Sequence, residues 1–190
     1  MTPERLLRLL PSFEAGLKGV RDSFGEFVQS GAIFQFSPVS ELSSDELRLL
    51  FPPKDRQPVT VLQQRFSGPA EGHISGILTD KYSDDLLVAL GSQEGLSVEE
   101  SMGMRTDILS ELGNVVANRF LTEWTQQTGV ALKTDTPTCH NVDLDELAKL
   151  LGGGPFLSSI AAYRIERTGS SGQWLFVVSA CLETIQELAE

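Results

Sequence analysis

Apolar residues recur at helical spacing between about residues 12 and 30 and again between about 101 and 127, and each stretch predicts a long helix. Elsewhere the pattern shortens to runs rich in apolar and β-branched residues. Val59 to Phe66 and His73 to Leu78 flank Gly68 and Gly72, while Ser159 to Ile165 and Gln173 to Val178 flank Gly169 and Gly172. Glycines bounding a short polar loop between such runs predict two β-hairpins. Two short helices are predicted from Asp45-Glu46-Leu47-Arg48-Leu49-Leu50 and Asp145-Glu146-Leu147-Ala148-Lys149-Leu150, whose acidic pairs stand where the helix dipole favours negative charge. Helical stretches from Asp84 to Leu90 and from Leu182 to Leu188 follow the hairpins.

This punctuation repeats at a separation of about 98 to 101 positions. Gly31 precedes Ala32-Ile33-Phe34 as Gly129 precedes Val130-Ala131-Leu132, and Pro38 falls where Pro137 does. Landmarks kept in one order point to a duplicated supersecondary unit, with repeat 1 over about 12–92 and repeat 2 over about 101–190 of a single domain spanning 1–190. The expected fold class is α+β with pseudo-twofold symmetry: the hairpins join in a largely antiparallel sheet and the long helices pack on it.

The second long helix differs from an ordinary amphipathic one. At about 100° per residue, with Asp107 as zero, Glu111 lies near 40°, Asn114 near 340° and Asn118 near 20°. Ile108, Leu109, Leu112, Val115, Val116, Ala117, Phe120 and Leu121 fill most of the remaining circumference, and Gly113 leaves room for a close neighbour. Such a helix buries nearly everything except a polar stripe. Asp107 fits an N-terminal cap or a first-turn charge, and Glu111 alone fits a solvated carboxylate. Asn114 is a poor choice for a helix interior unless its amide is used. Asn118 fits either a second functional amide or a surface residue. Glu111 and Asn114 share one helix face with Cβ atoms roughly 5 to 6 Å apart. An amide can hold a water molecule and a carboxylate can pair with a lysine or arginine, yet neither is a nucleophile beside an evident base. The pair therefore reads as half of an active site, completed by another protein.

Composition narrows the possibilities. A hydrophobic share of 41% with 22% charged residues is that of a globular protein. The longest nearly unbroken apolar run, Trp174 to Leu182, is under half of the roughly 20 residues a membrane helix needs, so no membrane insertion is expected. Arg5 and Arg8 lie among leucines, but Glu4 and Pro11 interrupt them and no cleavage site follows, so the N-terminus reads as part of the fold. Cys139 and Cys181 form neither a disulfide framework nor a metal-ligand spacing, which suits the cytosol. A net charge of −11, with fifteen scattered Lys and Arg residues, argues against nucleic acid as a partner.

Asp107-x-x-x-Glu111-x-x-Asn114, within Asp107-Ile-Leu-Ser-Glu-Leu-Gly-Asn-Val-Val-Ala-Asn118, resembles the signature of the CheC/CheX/FliY chemotaxis phosphatases, and the duplication extends the resemblance over about residues 12–190. That family dephosphorylates the response regulator CheY by inserting this helix against its phospho-aspartate. The resemblance implies a CheC-like fold and a protein aspartyl-phosphate phosphatase whose catalytic residues are Glu111 and Asn114. Asn114 would position the attacking water and Glu111 would pair with a lysine of the regulator. Asp107 and Asn118 are then expected to face the partner. The implied partner is a phosphorylated CheY-like response regulator, which brings its own Mg²⁺, so this chain needs no bound cofactor. The deamidase CheD is a regulatory partner of the family that the residues themselves do not place. The alternative is a non-catalytic adaptor or flagellar-switch module. Switch proteins of related fold usually lack the glutamate and asparagine pair, and carry a further C-terminal domain for which these 190 residues leave no room.

Other motifs carry less. Counting back about 98 from Glu111 and Asn114 reaches Phe13 and Gly16, so the first copy lacks the pair, and Asp22-x-x-x-Glu26-x-x-Gln29 has the spacing but is out of register. Cys139-His140-Asn141-Val142-Asp143 has no second cluster to complete a metal site and reads as a loop. Gly152-Gly153-Gly154-Pro155 reads as a helix stop, since it lacks the lysine and hydroxyl of a phosphate-cradling loop. His73, with no nucleophile or acid nearby, reads as structural.

Overall fold

In the computed structural model, which describes residues 3–28, 32–51, 58–152, 156–166, 169 and 171–180, the chain runs α1 (Pro3–Val28), β1 (Ala32–Phe36), β2 (Ser40–Leu42), α2 (Ser44–Leu50), β3 (Val59–Ser67), β4 (Gly72–Thr79), α3 (Asp80–Gln93), α4 (Val98–Gly103), α5 (Arg105–Thr128), β5 (Lys133–Thr134), β6 (Thr138–Val142), α6 (Leu144–Leu150), β7 (Phe156–Ile165) and β8 (Ser171–Ala180). Local chemistry sets several of these boundaries. Ser43 and Glu46 form a reciprocal capping box that starts α2, Ser97 and Glu100 do the same for α4, and the Asp143 carboxylate accepts from the N–H groups of Asp145 and Glu146 to start α6. Gly129, in the left-handed region at φ +70°, ends α5 and donates its N–H to the Thr125 carbonyl.

The strands form one sheet in the order β1-β7-β8-β4-β3-β5, with β2 also pairing β7 and β6 also pairing β3. Each of these pairings is antiparallel. The fold is thus α+β. Exchanging β1–β4 with β5–β8 leaves the order and the partners unchanged. The alternation of each strand divides the core between two faces. On one face Leu62, Phe66, Ile74, Leu78, Leu157, Tyr163, Trp174, Phe176 and Val178 pack with residues of α1, α3 and α5. On the other Val59, Val61, Ile77, Phe156, Leu175 and Val177 pack with Leu47 of α2 and Leu147 of α6.

Helices α1 and α5 lie close together because small residues line their contact. A Cβ on Gly16 would stand 2.4 Å from the Phe120 ring, and one on Gly19 would stand 2.6 Å from Glu123 Cγ. Phe13 meets Phe120, Trp124 and Phe176 edge-on at ring-centroid distances of 5.3, 6.2 and 6.4 Å. Leu9, Phe13, Gly16, Leu17, Val20 and Phe24 are buried along α1, and Leu109, Gly113, Val116, Ala117, Phe120 and Trp124 along α5. Those sets are 100 positions apart, within the 98 to 101 of the repeated punctuation. The positions 100 before Glu111 and Asn114 hold Pro11 and Glu14, and those 98 before hold Phe13 and Gly16. Neither restores the pair.

Other differences from expectation have local causes. The first helix begins near Pro3, well before residue 12, and continues through Pro11, which faces solvent while Leu9 and Phe13 on either side are buried. The segment Cys139–Asp143 is not a loop: residues 138–142 form β6, whose partner β3 supplies the ladder that a local reading cannot see, and Asp143 is a cap. Of the two matched apolar stretches, 32–34 lies in β1 while 130–132 lies in no strand, and the pairing with β3 begins at Lys133. The predicted helix from Leu182 to Leu188, with Cys181, lies outside the described residues, as do Gln29, Gly31 and Gly153 to Pro155.

Candidate functional site

The stripe lies on α5, whose buried side presses on β3 and α1. Gly113 lets the helix approach: a Cβ there would stand 3.3 Å from Leu62 Cβ. At the N-terminal end the Arg105 guanidinium donates to Thr60 Oγ1 on β3 at 2.9 Å, and it also meets Ser83 Oγ and the Asp84 carboxylate on α3. A helix pinned at its start and seated along its length presents its remaining side chains from a fixed base.

Asp107 is exposed in the first turn and caps nothing, because the N-cap position falls on Met104. It keeps the favourable first-turn position for negative charge. Glu111 is exposed and makes no hydrogen bond or ion pair with any described residue. Asn114 and Asn118 are half-buried, and Asn118 Nδ2 donates to Asn114 Oδ1 at 2.7 Å. The Asn118 side chain is turned into the protein on its other edge as well: its Oδ1 accepts from Thr134 Oγ1 of β5 at 3.2 Å and, at a long 3.5 Å, from Gln64 Nε2 of β3. Gln64 Nε2 in turn donates to the Asp135 carbonyl at 2.9 Å. The structure thus brings Glu111, Asn114 and Asn118 together on one face of α5, with Glu111 exposed, Asn114 half-buried and Asn118 bonded to β3 and β5.

Gln64, Thr134, Asp135 and Arg105 escaped the reading of the sequence. Gln64 carried a signal. Within β3 it falls between Leu62 and Phe66 on the face turned to the helices, where alternation calls for an apolar residue, and it is only 2% exposed. A buried amide at such a place needs partners, and α5 and the 133–135 segment provide them. Thr134 and Asp135 come from a stretch with no distinguishing pattern.

The remaining candidates stay outside the site. Asp22 pairs with Arg21 at 3.2 Å on the exposed side of α1, and Glu26 is exposed. His140 bonds Thr138 Oγ1 at 2.8 Å, and burial pushes the Cys139 thiol pKa up, away from thiolate chemistry. His73, on β4 opposite Arg65 of β3, has its pKa lowered by burial and then by that guanidinium. Among the described residues no three His, Cys, Asp or Glu side chains converge on a point where a metal would sit. None of their helices is long and apolar enough to cross a membrane.

No protein-family model matches this sequence, and no curated protein matches it. Solved structures do. FliY from Thermotoga maritima aligns with 100% of this chain and 97% of its own at a TM-score of 0.74 and 13% identity. The FliM middle domain from H. pylori aligns with 100% of this chain and 98% of its own at 0.63 and 11%. A chain of the CheX–CheY–BeF3–Mg²⁺ complex from Borrelia burgdorferi aligns with 87% of this chain and 96% of its own at 0.57 and 16%. These alignments give this chain the fold of the CheC/CheX/FliY chemotaxis proteins, which the FliM middle domain shares.

Proposed function

We propose that this protein is a cytoplasmic phosphatase acting on the aspartyl phosphate of a CheY-like response regulator, in chemotaxis or another two-component pathway. The observation that carries the reading is the pair on α5: an exposed Glu111 carboxylate with no partner among the described residues, beside an Asn114 amide whose oxygen is held by Asn118 and whose nitrogen bonds none of them. A carboxylate left unpaired on a seated helix suits a cation from outside, and an amide one turn further on suits a water molecule or a phosphoryl oxygen.

In this reading α5 docks against the regulator's phosphorylation site. Glu111 pairs with a lysine of the regulator and sets the register of docking. Asn114 holds the water in line with phosphorus; the water oxygen bonds to phosphorus, the acyl P–O bond breaks, and the aspartate carboxylate and inorganic phosphate are released. The Mg²⁺ that offsets the phosphoryl charge belongs to the regulator, so catalysis here is positioning. Val98, Met102 and Met104, exposed immediately before the stripe, offer the regulator adaptable apolar contact. The structure of CheX with CheY, BeF3 and Mg²⁺ supports the reading, because there a protein of this fold engages a response regulator.

The test is the decay of a phosphorylated CheY-like regulator in Mg²⁺ with wild type, Asn114→Ala and Glu111→Ala. Loss of a positioned amide lowers an enzyme's rate by about 100-fold or more, so Asn114→Ala is expected to approach spontaneous decay while Glu111→Ala weakens both docking and turnover. Equal decay with wild type and Asn114→Ala would rule the reading out. The second reading, a switch-type module that binds without hydrolysis, has its support in the FliM middle domain and the FliG–FliM complex of H. pylori, which share the fold. Capture of the regulator with no acceleration of decay would decide for it.

A further inference from the structure

We infer that Asn118 and Gln64 are positioning residues that lock the Asn114 side chain with its NH2 group outward, so that Asn114 acts on the reacting groups as a hydrogen-bond donor. The inference rests on the phosphatase reading above and assigns residues and a direction that the motif itself does not contain.

The direction follows from a fixed starting point. The Asp135 backbone carbonyl can only accept a hydrogen bond, so the atom of Gln64 that stands 2.9 Å from it must be the amide nitrogen. The reverse orientation would set two carbonyl oxygens against each other. That choice leaves Gln64 Oε1 buried with no partner, a cost accepted only because the nitrogen is needed where it is. With Gln64 nitrogen fixed, the Asn118 atom facing it is the oxygen, which also accepts from Thr134 Oγ1 at 3.2 Å. Asn118 therefore turns its nitrogen toward Asn114, and the Asn114 atom 2.7 Å away must be Oδ1. The amide on which the relay ends has nothing left to offer outward but its nitrogen. Asn114 Nδ2 bonds no described residue, and the side chain is only half-buried.

Helix geometry makes the last link short. Asn118 is four residues after Asn114, and Cβ vectors tilt toward the helix N-terminus, so its side chain leans over Asn114. The first half has no such relay. The positions 100 before Asn114 and Asn118 hold Glu14 and Lys18, an exposed carboxylate and an exposed ammonium.

A fixed donor does specific work in the proposed reaction. Its N–H bonds one lone pair of the attacking water, or an equatorial phosphoryl oxygen, where negative charge gathers as the acyl P–O bond lengthens. A freely rotating amide would present its oxygen part of the time and repel the same phosphoryl oxygens.

Asn118→Asp tests this directly. The carboxylate keeps the acceptor toward Gln64 and Thr134 but cannot donate to Asn114 Oδ1, so the Asn114 amide turns over and presents its oxygen outward. We expect kcat to fall about 10- to 100-fold with KM little changed, and about 3- to 10-fold for Asn118→Ala, which frees the amide without reversing it. Simple repulsion of the regulator by the new charge would instead raise KM and be relieved by salt. A purely structural role would make loss of rate follow loss of thermal stability, with Asn118→Ala at least as impaired as Asn118→Asp. An activity-independent readout is side-chain amide exchange in the free protein. In wild type the Asn118 NH2 is protected and that of Asn114 is not, and in Asn118→Asp the protected group becomes Asn114. Rapid exchange of the Asn118 NH2 in wild type, or an active wild type whose kcat is unchanged in both variants, overturns the inference alone. A wild type that shows the protection but does not dephosphorylate the regulator overturns the phosphatase reading, and with it the catalytic part of the inference.

Discussion

At the scale of single residues, the site depends on how closely the layers approach, and small side chains set those distances. Gly113 allows α5 to sit on Leu62, which is what brings Asn118 within bonding distance of Gln64 on the same strand. Gly76, in the middle of β4, plays the same part for the core. A Cβ there would stand 1.9 Å from Trp174 Nε1 and within 2.2 Å of two further indole atoms. That indole is buried and meets Phe24 and Phe34 at centroid distances of 6.4 Å, so a shift of the ring would disturb its aromatic neighbours. Gly76→Ala is expected to destabilise the fold by about 1 to 3 kcal/mol, the usual cost of overpacking. Urea unfolding followed by tryptophan fluorescence measures this, and an unchanged midpoint would show that the indole can swing aside.

At the scale of elements, α5 is fixed by polar contacts at its start as well as by its apolar side. Arg105, 22% exposed in its side chain, joins α5 to β3 through Thr60 and to α3 through Ser83 and Asp84. Arg105→Met keeps the stem and removes the donors, leaving buried hydroxyls short of partners at a cost of about 1 to 3 kcal/mol. The same variant is expected to slow turnover by loosening the base of the stripe, and a thermal midpoint with a kcat measurement checks both. The β3–β4 hairpin carries a pH dependence. Burial and Arg65 lower the His73 pKa from 6.5, against a smaller opposing pull from Asp135. The unfolded chain therefore binds a proton more readily than the folded one, and this contribution to stability is complete above pH 6.5 and is lost as pH falls toward the folded value. His73→Gln is expected to flatten the dependence of the urea midpoint between pH 7 and 5, and an unaltered slope would assign that dependence to other groups. The sequence made most of these elements visible where the signal was local. The glycine-bounded hairpins, the acidic starts of α2 and α6 and the polar stripe of α5 all follow from spacing and capping. What it hid depends on partners far along the chain. β6 is polar at Thr138, His140 and Asn141 and becomes a strand because β3 offers it a ladder; the Gln64–Asn118 contact joins positions 54 apart.

At the scale of the whole molecule, the strand order is unchanged by exchange of the halves, but the chemistry is not. In α1 the positions 100 before Glu111, Asn114 and Asn118 hold Pro11, Glu14 and Lys18. A carboxylate stands where the Asn114 amide would, a cation where the Asn118 amide would, and Ala161, about 97 positions beyond Gln64 on the sheet face turned to the helices, offers only a methyl group. The first half therefore contributes packing: Phe13, Gly16 and Gly19 let α1 hold α5 in place against the sheet. One working face in a two-part fold makes a quantitative prediction. Asn114→Ala is expected to remove essentially all acceleration of regulator dephosphorylation, a fall of about 100-fold or more, and Glu14→Ala to leave kcat and KM at wild-type values. A protein with two working faces would instead keep about half its rate in Asn114→Ala and lose the rest only when the α1 face was altered too. Measuring both single variants and the Glu14→Ala, Asn114→Ala double variant against one phosphorylated regulator separates these cases. A residual rate near one half, abolished in the double variant, would show that α1 also docks and would overturn the assignment of catalysis to α5 alone.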